Sequence, residues 1–401
     1  MHSIIQVAYS HNKIYNQTMN KLPNGWEIKT IEEVCEKISA GGDRPDDCTI
    51  EKTEENQIPI FSNGVENNGL YGYTKTPIIT KPALTVSARG TIGFVCVRYE
   101  PFFPIVRLIC VIPNEKILVL EFLSYALQYI IPQGEGSSVP QLTIPNFKQI
   151  KIPFPPLDEQ KRIASTLSKI DAYLENTIKL IEEKERFKKG IAKKLLTCKE
   201  GENIPEARFK EFNNEWREVQ ILEFVNKNII KIEKGKSISE SKIVKGDIPV
   251  IAGGKKPPYY HNKYNYDFPC ITISASGSAG YVWFHHYKIW ASDCHVIYTD
   301  NKKYNIKFLY YYLKNIQDLI YYMQIGGVQK HIYAKDIMAL NIPNITIEEQ
   351  KEIGEYLSLL DAEIDNLKKQ EELIKEMKKG MINKFMSGEI RIDKNFETIN
   401  F

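Results

Sequence analysis

The feature that most constrains this chain is an internal repeat, because the second half of the sequence follows the pattern of the first. Trp26, in LPNGWEIKTIEEV, is matched 190 positions later by Trp216, in FNNEWREVQILEF. The same offset pairs IPIFSNG with IPVIAGG and LDEQKRIASTL with IEEQKEIGEYL, and a slightly shorter one pairs TVSARGTIGFV with TISASGSAGYV. Matches that keep their order over about 170 residues indicate a duplicated structural unit.

The first part of each copy, at 22–150 and 210–342, is rich in Gly, Pro, Tyr and β-branched residues. Its short apolar runs predict strands. We place them at Leu84–Ser87, Phe94–Arg98 and Leu108–Ile112, and in the second copy at Ile271–Ser274, Tyr281–Phe284 and His295–Tyr298. Amphipathic segments at 118–131 and 306–323 predict one helix per copy. A proline-containing segment, IPFPPL or NIPNIT, then ends each mixed α/β domain.

The second part of each copy is a long segment without proline, in which apolar residues recur at alternating steps of four and three. This spacing is typical of the seam along which helices pair in a coiled coil. The seam residues are Ile163, Leu167, Ile170, Leu174 and Ile181, and in the second copy Ile353, Leu357, Leu360, Ile364 and Leu367. Each helix would be roughly 57 Å long, from ~38 residues at 1.5 Å each.

Two such helices in one chain are expected to pair with each other, antiparallel, because each is present at high effective concentration near the other. Recruitment of a helix from another molecule is the alternative. The fold class is therefore α+β: two mixed α/β domains separated by a pair of long antiparallel coiled-coil helices. Antiparallel pairing would place the two domains at opposite ends of a rod.

Composition indicates the cellular compartment of this protein more clearly than its function. A net charge of +3 leaves the nature of the partner open. Seven cysteines without a CxxC pair argue against a disulfide framework or a zinc ribbon and favour a reducing compartment. Residues 1–20 lack the apolar core of a signal peptide, and no run approaches the ~20 apolar residues of a membrane span. We expect a cytoplasmic protein that does not associate with membranes.

Four sequence features could suggest catalysis or metal binding, and each is weak. KPPYY at Lys256 resembles a methyltransferase motif, but a lysine cannot accept the hydrogen bond required of the first residue. SASGSAG lacks the Gly-Lys-Ser/Thr of a phosphate loop, and its match to SARGTIG favours a shared tight turn. PDD at Pro45 lacks correct nuclease spacing. The spacing of His285, His286, Cys294 and His295 fits no standard metal site, so no metal is expected.

Several motifs are similar to those of the specificity subunits of type I restriction-modification systems. IPFPPLDEQKRI and IPNITIEEQKEI resemble the segment that begins each long helix in this family, although NIT replaces FPP in the second copy. LPNGW resembles the usual start of the first domain, and GSSVPQL and GGVQKHI resemble a Gly-rich turn before the last strand. The resemblance extends from about Leu22 to about Ile390.

The resemblance implies a domain plan and a set of partners. It implies an N-terminal extension at 1–21, target recognition domains at 22–156 and 199–345, spacer helices at 157–198 and 346–388, and a tail at 389–401. Each recognition domain would read half of a bipartite site in double-stranded DNA. The helices would set the spacer and dock two methyltransferase subunits, and restriction subunits would join them. S-adenosylmethionine and ATP would bind those partners, so this chain would carry no cofactor and no catalytic residue.

Candidate DNA-binding residues are polar or aromatic side chains beside glycines, where the backbone can approach DNA closely. They are Arg44, Asn63, Tyr71, Tyr73, Arg89 and Gln141 in the first copy, and Lys255, Lys256, Tyr259, Tyr260, Ser276, Gln329, Lys330 and His331 in the second. The alternatives are edge packing for each tyrosine and phosphate contact or solvation for each lysine.

The two copies differ where they align, since Arg89 faces Ser276 and Asn63 faces Gly253. Different side chains at matching positions should read different half-sites, so the sequence predicts an asymmetric target. A coiled-coil scaffold whose α/β domains bind proteins is the alternative function. It predicts no salt-dependent DNA binding, whereas a specificity subunit predicts affinity that falls steeply with salt.

Overall fold

The computed structural model describes residues 22–131, 142–326 and 330–392. It divides into two compact units. Unit 1 comprises Met1–Thr177 with Gln370–Phe401, and unit 2 comprises Ile178–Lys369. Each unit holds one mixed α/β domain and a segment of both long helices.

The strands of the two units follow the same plan. In unit 1 they are β1 (Glu27–Thr30), β2 (Cys35–Ala40), β3 (Ile58–Phe61), β4 (Leu70–Thr74), β5 (Ala83–Val86), β6 (Val95–Arg98), β7 (Phe103–Pro104), β8 (Ile109–Pro113) and β9 (Lys151–Phe154). In unit 2 they are β10 (Arg217–Gln220), β11 (Ile230–Lys234), β12 (Ile248–Ile251), β13 (Tyr259–His261), β14 (Cys270–Ser274), β15 (Val282–His285), β16 (Trp290–Ala291), β17 (Cys294–Thr299) and β18 (Asn341–Asn344).

Each domain contains three small sheets with matching strand orders. Unit 1 has β2-β8-β5-β6, β4-β3-β7 and β1-β9, and unit 2 has β11-β17-β14-β15, β13-β12-β16 and β10-β18. The only parallel pairs among these strands are β3 with β7 and β12 with β16. The six strands predicted from apolar runs are confirmed as β5, β6, β8, β14, β15 and β17.

The helices also repeat, with one difference. They are α1 (Ile31–Val34), α2 (Leu120–Ile130), α3 (Ile144–Lys148), α4 (Leu157–Leu196), α5 (Ile221–Asn226), α6 (Ile306–Asn315), α7 (Gln317–Tyr322), α8 (Ala334–Met338) and α9 (Ile347–Met386). The helix predicted at 118–131 is α2. The one predicted at 306–323 divides into α6 and α7, because Ile316 leaves the helical conformation at ψ 22°. The long helices α4 and α9 have 40 residues each.

The core of each domain lies between its four-stranded sheet, its central helix and the first turns of one long helix. In unit 1, Leu84 and Val111 of the sheet, Phe122 of α2 and Leu167 of α4 are all fully buried in one cluster. In unit 2, Ile353 and Leu357 of α9 are buried in the equivalent cluster. The early seam residues therefore serve the domain core, where each contributes roughly 1.5–3 kcal/mol.

Later seam residues are buried to differing degrees. Ile170, Ile181 and Ile364 are buried, whereas Leu174, Leu360 and Leu367 are half-buried. The seam is interrupted by polar residues, and several of them form ion pairs instead. In unit 2, Lys184 binds Glu363 at 2.6 Å, Lys188 binds Asp361, and Glu185 binds Lys368 at 2.6 Å. The residue numbers of each pair add to between 547 and 553, as they do when two helices run antiparallel, so the two segments are antiparallel in unit 2.

A tyrosine, an aspartate and a lysine form the same contact in both units. In unit 1, the Tyr125 hydroxyl donates to Asp171 at 2.7 Å, and Lys378 lies 2.5 Å from the same carboxylate. In unit 2, the Tyr311 hydroxyl donates to Asp361 at 2.7 Å, and Lys188 pairs with that carboxylate. The residue numbers of each Asp–Lys pair add to 549, so α4 and α9 keep one register in both units.

The Glu-Gln dipeptide at the start of each long helix is buried and fixes that helix to its domain. The Gln160 amide accepts from Val119 N at 3.0 Å and donates to Pro155 O at 2.9 Å. Gln350 accepts from Asn305 N at 2.7 Å and donates to Ile345 O at 2.9 Å. The glutamine of each copy thus satisfies its buried amide with two backbone groups of its own domain.

The replacement of FPP by NIT changes only how the first turn begins. In unit 1 the amides of Glu159 and Gln160 donate to Pro156 O. In unit 2 the Thr346 hydroxyl accepts from Glu349 N at 3.4 Å, as an N-cap residue does. Both helices then run for the same length.

We expect Gly354→Ala to destabilise unit 2 by about 1–3 kcal/mol, although alanine favours helices. A Cβ at Gly354 of α9 would lie 2.9 Å from the backbone nitrogen of Phe308, so the packing of α6 would have to shift. Gly190 of α4 is the matched control, because a Cβ there meets nothing within 4 Å. Gly190→Ala should stabilise by about 0.5–1 kcal/mol. Denaturant unfolding followed by hydrogen exchange in unit 2 measures both, and equal effects would contradict the packing explanation.

Candidate nucleic-acid interface

A Gly-rich turn joins β5 to β6 and recurs between β14 and β15. In unit 1, Gly93 N donates to Ser87 O at 3.0 Å, and in unit 2, Gly280 N donates to Ser274 O at 2.8 Å. Gly90 and Gly93 have φ of 68° and 82°, and Gly277 and Gly280 have φ of 63° and 81°. These left-handed positions favour glycine. The SARGTIG and SASGSAG segments are thus one shared tight turn, which carries Arg89 in unit 1 and Ser276 in unit 2.

Asn63 connects this turn to the loop before β8. Its side-chain nitrogen donates to Val106 O at 2.6 Å, and its side-chain oxygen accepts from Ala88 N at 2.7 Å. Both polar atoms are therefore engaged by backbone groups, and the residue positions the two loops. Arg89 and Arg107 each directly follow one of the two residues that Asn63 holds.

In unit 2 the equivalent loops are connected differently. Gly253 occupies the Asn63 position, and a Cβ there would lie 2.5 Å from Ser276 O, so the backbones are too close for a larger residue. The Ser276 hydroxyl instead donates to the carboxylate of Asp293, which precedes β17. Lys234 at the end of β11 lies 3.3 Å from the same carboxylate. The connection in unit 2 is therefore polar and charged.

A cleft of about 650 Å³ lies beside these loops in unit 2. It brings together two of the predicted residues, Lys255 and Lys330, and adds Tyr321 and Tyr322 of α7. Tyr322 is 89% exposed. Exposed tyrosines beside lysines can stack on bases or contact phosphates. The sequence did not single out these tyrosines, because they read as part of one amphipathic helix.

The remaining predicted residues have varied environments. Arg44 and Tyr71 are hydrogen-bonded to each other, and this bond raises the pKa of Arg44. The Tyr259 hydroxyl donates to Glu240 at 3.0 Å, and Tyr260 is exposed. Tyr73 is half-buried, Lys256 is exposed, and the His331 ring stacks on Tyr333 with centroids 6.5 Å apart. Gln141 and Gln329 lie outside the described residues.

Of the four side chains considered as a metal cluster, three have separate hydrogen-bond partners. His285 is buried with Nε2 2.8 Å from Thr272 Oγ1, and its burial, with His286 nearby, lowers its pKa to about 3. Cys294 contacts Ile251 O at 3.7 Å, and His295 Nε2 lies 3.0 Å from Ile332 O. Over the described ranges, no group of three or more His, Cys, Asp or Glu side chains is arranged to hold a metal.

Two further observations bear on the setting. The seven cysteines are free thiols in the structure. Of the helices in the part of the chain that the structure describes, none is both long and apolar enough to cross a membrane.

Sequence reasoning missed two charged residues beside these loops, Arg107 in unit 1 and Asp293 in unit 2. Each lies two positions before a residue of the last sheet strand, in the sequences IVRLIC and ASDCHV. They could have been found from the sequence because each directly precedes an apolar run, and these two runs form the matching strands β8 and β17. An alignment by offset alone obscures this match, because the loop lengths differ between the copies.

Comparison with known proteins identifies the family. A family model described as the type I restriction modification DNA specificity domain matches residues 23–183 and 213–376. A putative type I restriction enzyme specificity subunit of Methanocaldococcus jannaschii is 28% identical over 427 aligned positions, which cover 97% of this chain and 99% of that protein. A putative type I specificity subunit of Mycoplasma pneumoniae is 38% identical over 143 residues, 36% of this chain and 42% of that protein.

A solved structure shows the same fold. The crystal structure of a type I restriction-modification S subunit from M. genitalium superposes with a TM-score of 0.65 at 22% identity, over 91% of this chain and 98% of that chain. The two matched domains coincide with the two copies of the repeat. The chain therefore belongs to the family of type I restriction-modification DNA specificity proteins.

Proposed function

We propose that each α/β domain reads one half of an asymmetric, bipartite DNA site within a type I restriction-modification complex. The observation that carries the proposal is one frame used twice with different side chains. The two Gly-rich turns share two backbone hydrogen bonds and have left-handed glycines at matching positions, yet one carries Arg89 and the other Ser276. Polar side chains specify sequence at base edges, so unlike side chains in one geometry select unlike bases.

Phosphate contacts would come from the surrounding basic and aromatic surface. Lys255, Lys330 and the tyrosines of α7 share one cleft in unit 2. Contacts of this kind position a protein on DNA without reading sequence, and they make affinity depend on salt. The domain boundaries proposed for this activity are 22–156 and 199–345, with the segments of α4 and α9 as spacers.

The long helices would form a coiled coil that sets the spacing and docks methyltransferase subunits. The repeated Tyr–Asp–Lys contacts support a fixed register. Exposed apolar side chains on the same helices support docking, because exposed apolar surface is what a protein partner would cover. They are Leu373 and Met377 in unit 1, and Leu180, Phe187 and Leu359 in unit 2.

The methylation and cleavage chemistry would belong to the partners. S-adenosylmethionine would bind the two methyltransferase subunits and ATP the restriction subunits, with this chain supplying specificity and no catalytic residue. Purified alone with S-adenosylmethionine, it should not methylate DNA.

The test is an exchange of residues 22–150 for those of another family member, followed by mapping of methylated sites with the partner methyltransferase present. We expect one half-site to change while the other half and the spacer length stay the same. A matched exchange of 210–342 should change the opposite half-site. If one exchange alters both half-sites, modular recognition is contradicted. If the unaltered chain shows no salt-dependent DNA binding, a protein-binding scaffold is favoured.

A further inference from the structure

Arg107 and Asp293 occupy equivalent places in the two domains. In unit 1, Val86 of β5 pairs with Ile109 of β8, and in unit 2, Ile273 of β14 pairs with His295 of β17. Arg107 and Asp293 each lie two residues before the paired residue on the last of these strands. The frame is thus the same, but the charge at this position is reversed.

The backbone at Arg107 is held in a conformation that a long side chain rarely adopts. Val106 and Arg107 have φ of 54° and 59°, and their amides donate to Gly42 O at 2.8 Å and Gly41 O at 2.9 Å. Non-glycine residues in this region cost energy and cluster at functional sites. The arginine is exposed, and Asn63 holds its loop against the turn of Arg89.

Asp293 combines a defined orientation with remaining acceptor capacity. Partial burial opposes its ionisation, yet hydrogen bonds from Ser276 and Lys234 outweigh burial and hold its pKa below the usual range. The carboxylate is therefore an acceptor only, with about four lone-pair positions. Ser276 and Lys234 occupy part of this capacity, and the side chain is 39% exposed. The neighbouring His331 also favours the ionised form of this carboxylate.

We propose that Arg107 and Asp293 read base edges at the matching step of the two half-sites, Arg107 a guanine and Asp293 the exocyclic amino group of a cytosine. Arginine donates two hydrogen bonds to guanine O6 and N7, whereas a carboxylate accepts from cytosine N4. A carboxylate repels DNA phosphates, so the acceptor positions that Ser276 and Lys234 leave open on Asp293 suit an amino group at a base edge better than the DNA backbone. This inference rests on the proposed function and adds which residues select which class of base.

The experiment maps methylated sites for the complex of this chain with its methyltransferase subunits, with wild type, Asp293→Asn and Arg107→Asn. Asparagine preserves an acceptor for Ser276 and Lys234 at position 293, and it tolerates the left-handed backbone at position 107. Each substitution should lower discrimination roughly 10- to 100-fold at one base pair of one half-site. The two affected base pairs should lie at equal distances from the spacer.

Two controls separate base reading from charge or folding effects. Glu233→Gln alters a carboxylate of β11 that accepts from Tyr266 and Tyr298, and Lys37→Asn removes an exposed positive charge from β2. Both should leave the mapped motif unchanged. If neither Asp293→Asn nor Arg107→Asn changes the motif that wild type methylates, the inference is wrong but the proposed function still stands. Absence of any motif with wild type would overturn the proposed function as well.

Discussion

Replacing Arg208 with methionine is expected to lower the free energy of unfolding of unit 2 by about 3–5 kcal/mol. The Arg208 guanidinium donates to both Glu349 carboxylate oxygens at 2.8 Å, and Trp216 Nε1 donates to the same group at 3.1 Å. The two charged side chains are only 10% and 3% exposed. Without the arginine, Glu349 would be a buried carboxylate with one remaining side-chain donor.

Native-state hydrogen exchange is the suitable measurement, because a chain with two units need not unfold in one step. Amides of β10 and α9 should lose protection in Arg208→Met. The control is Arg217→Met, an exposed arginine of β10, which should change stability by less than about 0.5 kcal/mol. Adding Glu349→Gln to Arg208→Met should recover part of the loss. Equal protection in Arg208→Met and the control would show that the buried ion pair is not essential.

Unit 1 has the same arrangement with a different arginine. Trp26 Nε1 donates to Glu159 at 3.0 Å, and Arg391 binds both oxygens of that carboxylate at 3.0 and 2.7 Å. Arg391 is 41% exposed, so its replacement should cost less than that of Arg208. The residues directly after α9 thus belong to unit 1, where Ile392 is also buried in the core.

Deleting seven residues from the middle of both long helices is expected to shorten the unread DNA spacer by about three base pairs. Removal of 176–182 from α4 and 367–373 from α9 preserves the Asp171–Lys378 and Asp361–Lys188 pairs, because the two deleted segments face each other in the antiparallel register. Seven residues span ~10 Å of helix, and one base pair spans ~3.4 Å of DNA. The seam stays aligned because seven residues are close to two turns. The spacer is measured by mapping methylated sites with the partner subunits present.

A duplication of the same two heptads is the matched control, and it should lengthen the spacer by about three base pairs. Deletion from α4 alone should abolish methylation by the complex, because the lysines of one helix would no longer face the carboxylates of the other. An unchanged spacer in the paired deletion would exclude the role of the helices in setting the distance.

The sequence by itself determined the repeated elements of this protein. Apolar runs located the strands β5, β6, β8, β14, β15 and β17. The four-three spacing located two long helices, and both helices end within a few residues of their predicted limits. These features depend on the local periodicity of side chains, which a chain segment carries in any context. The repeat also matched the two domains, since equal patterns form equal elements.

Only the tertiary structure decided which distant residues meet. Arg208 and Arg391 form equivalent ion pairs, but they are 183 positions apart and so do not match at the repeat offset of 190. Each arginine follows one long helix and binds the glutamate at the start of the other. The structure shows that Asn63, a predicted DNA contact, holds two loops together, and the strand register places Arg107 and Asp293 at equivalent positions. Such contacts depend on how sheets, turns and antiparallel helices close in space, and no local pattern encodes the partner of a buried charge.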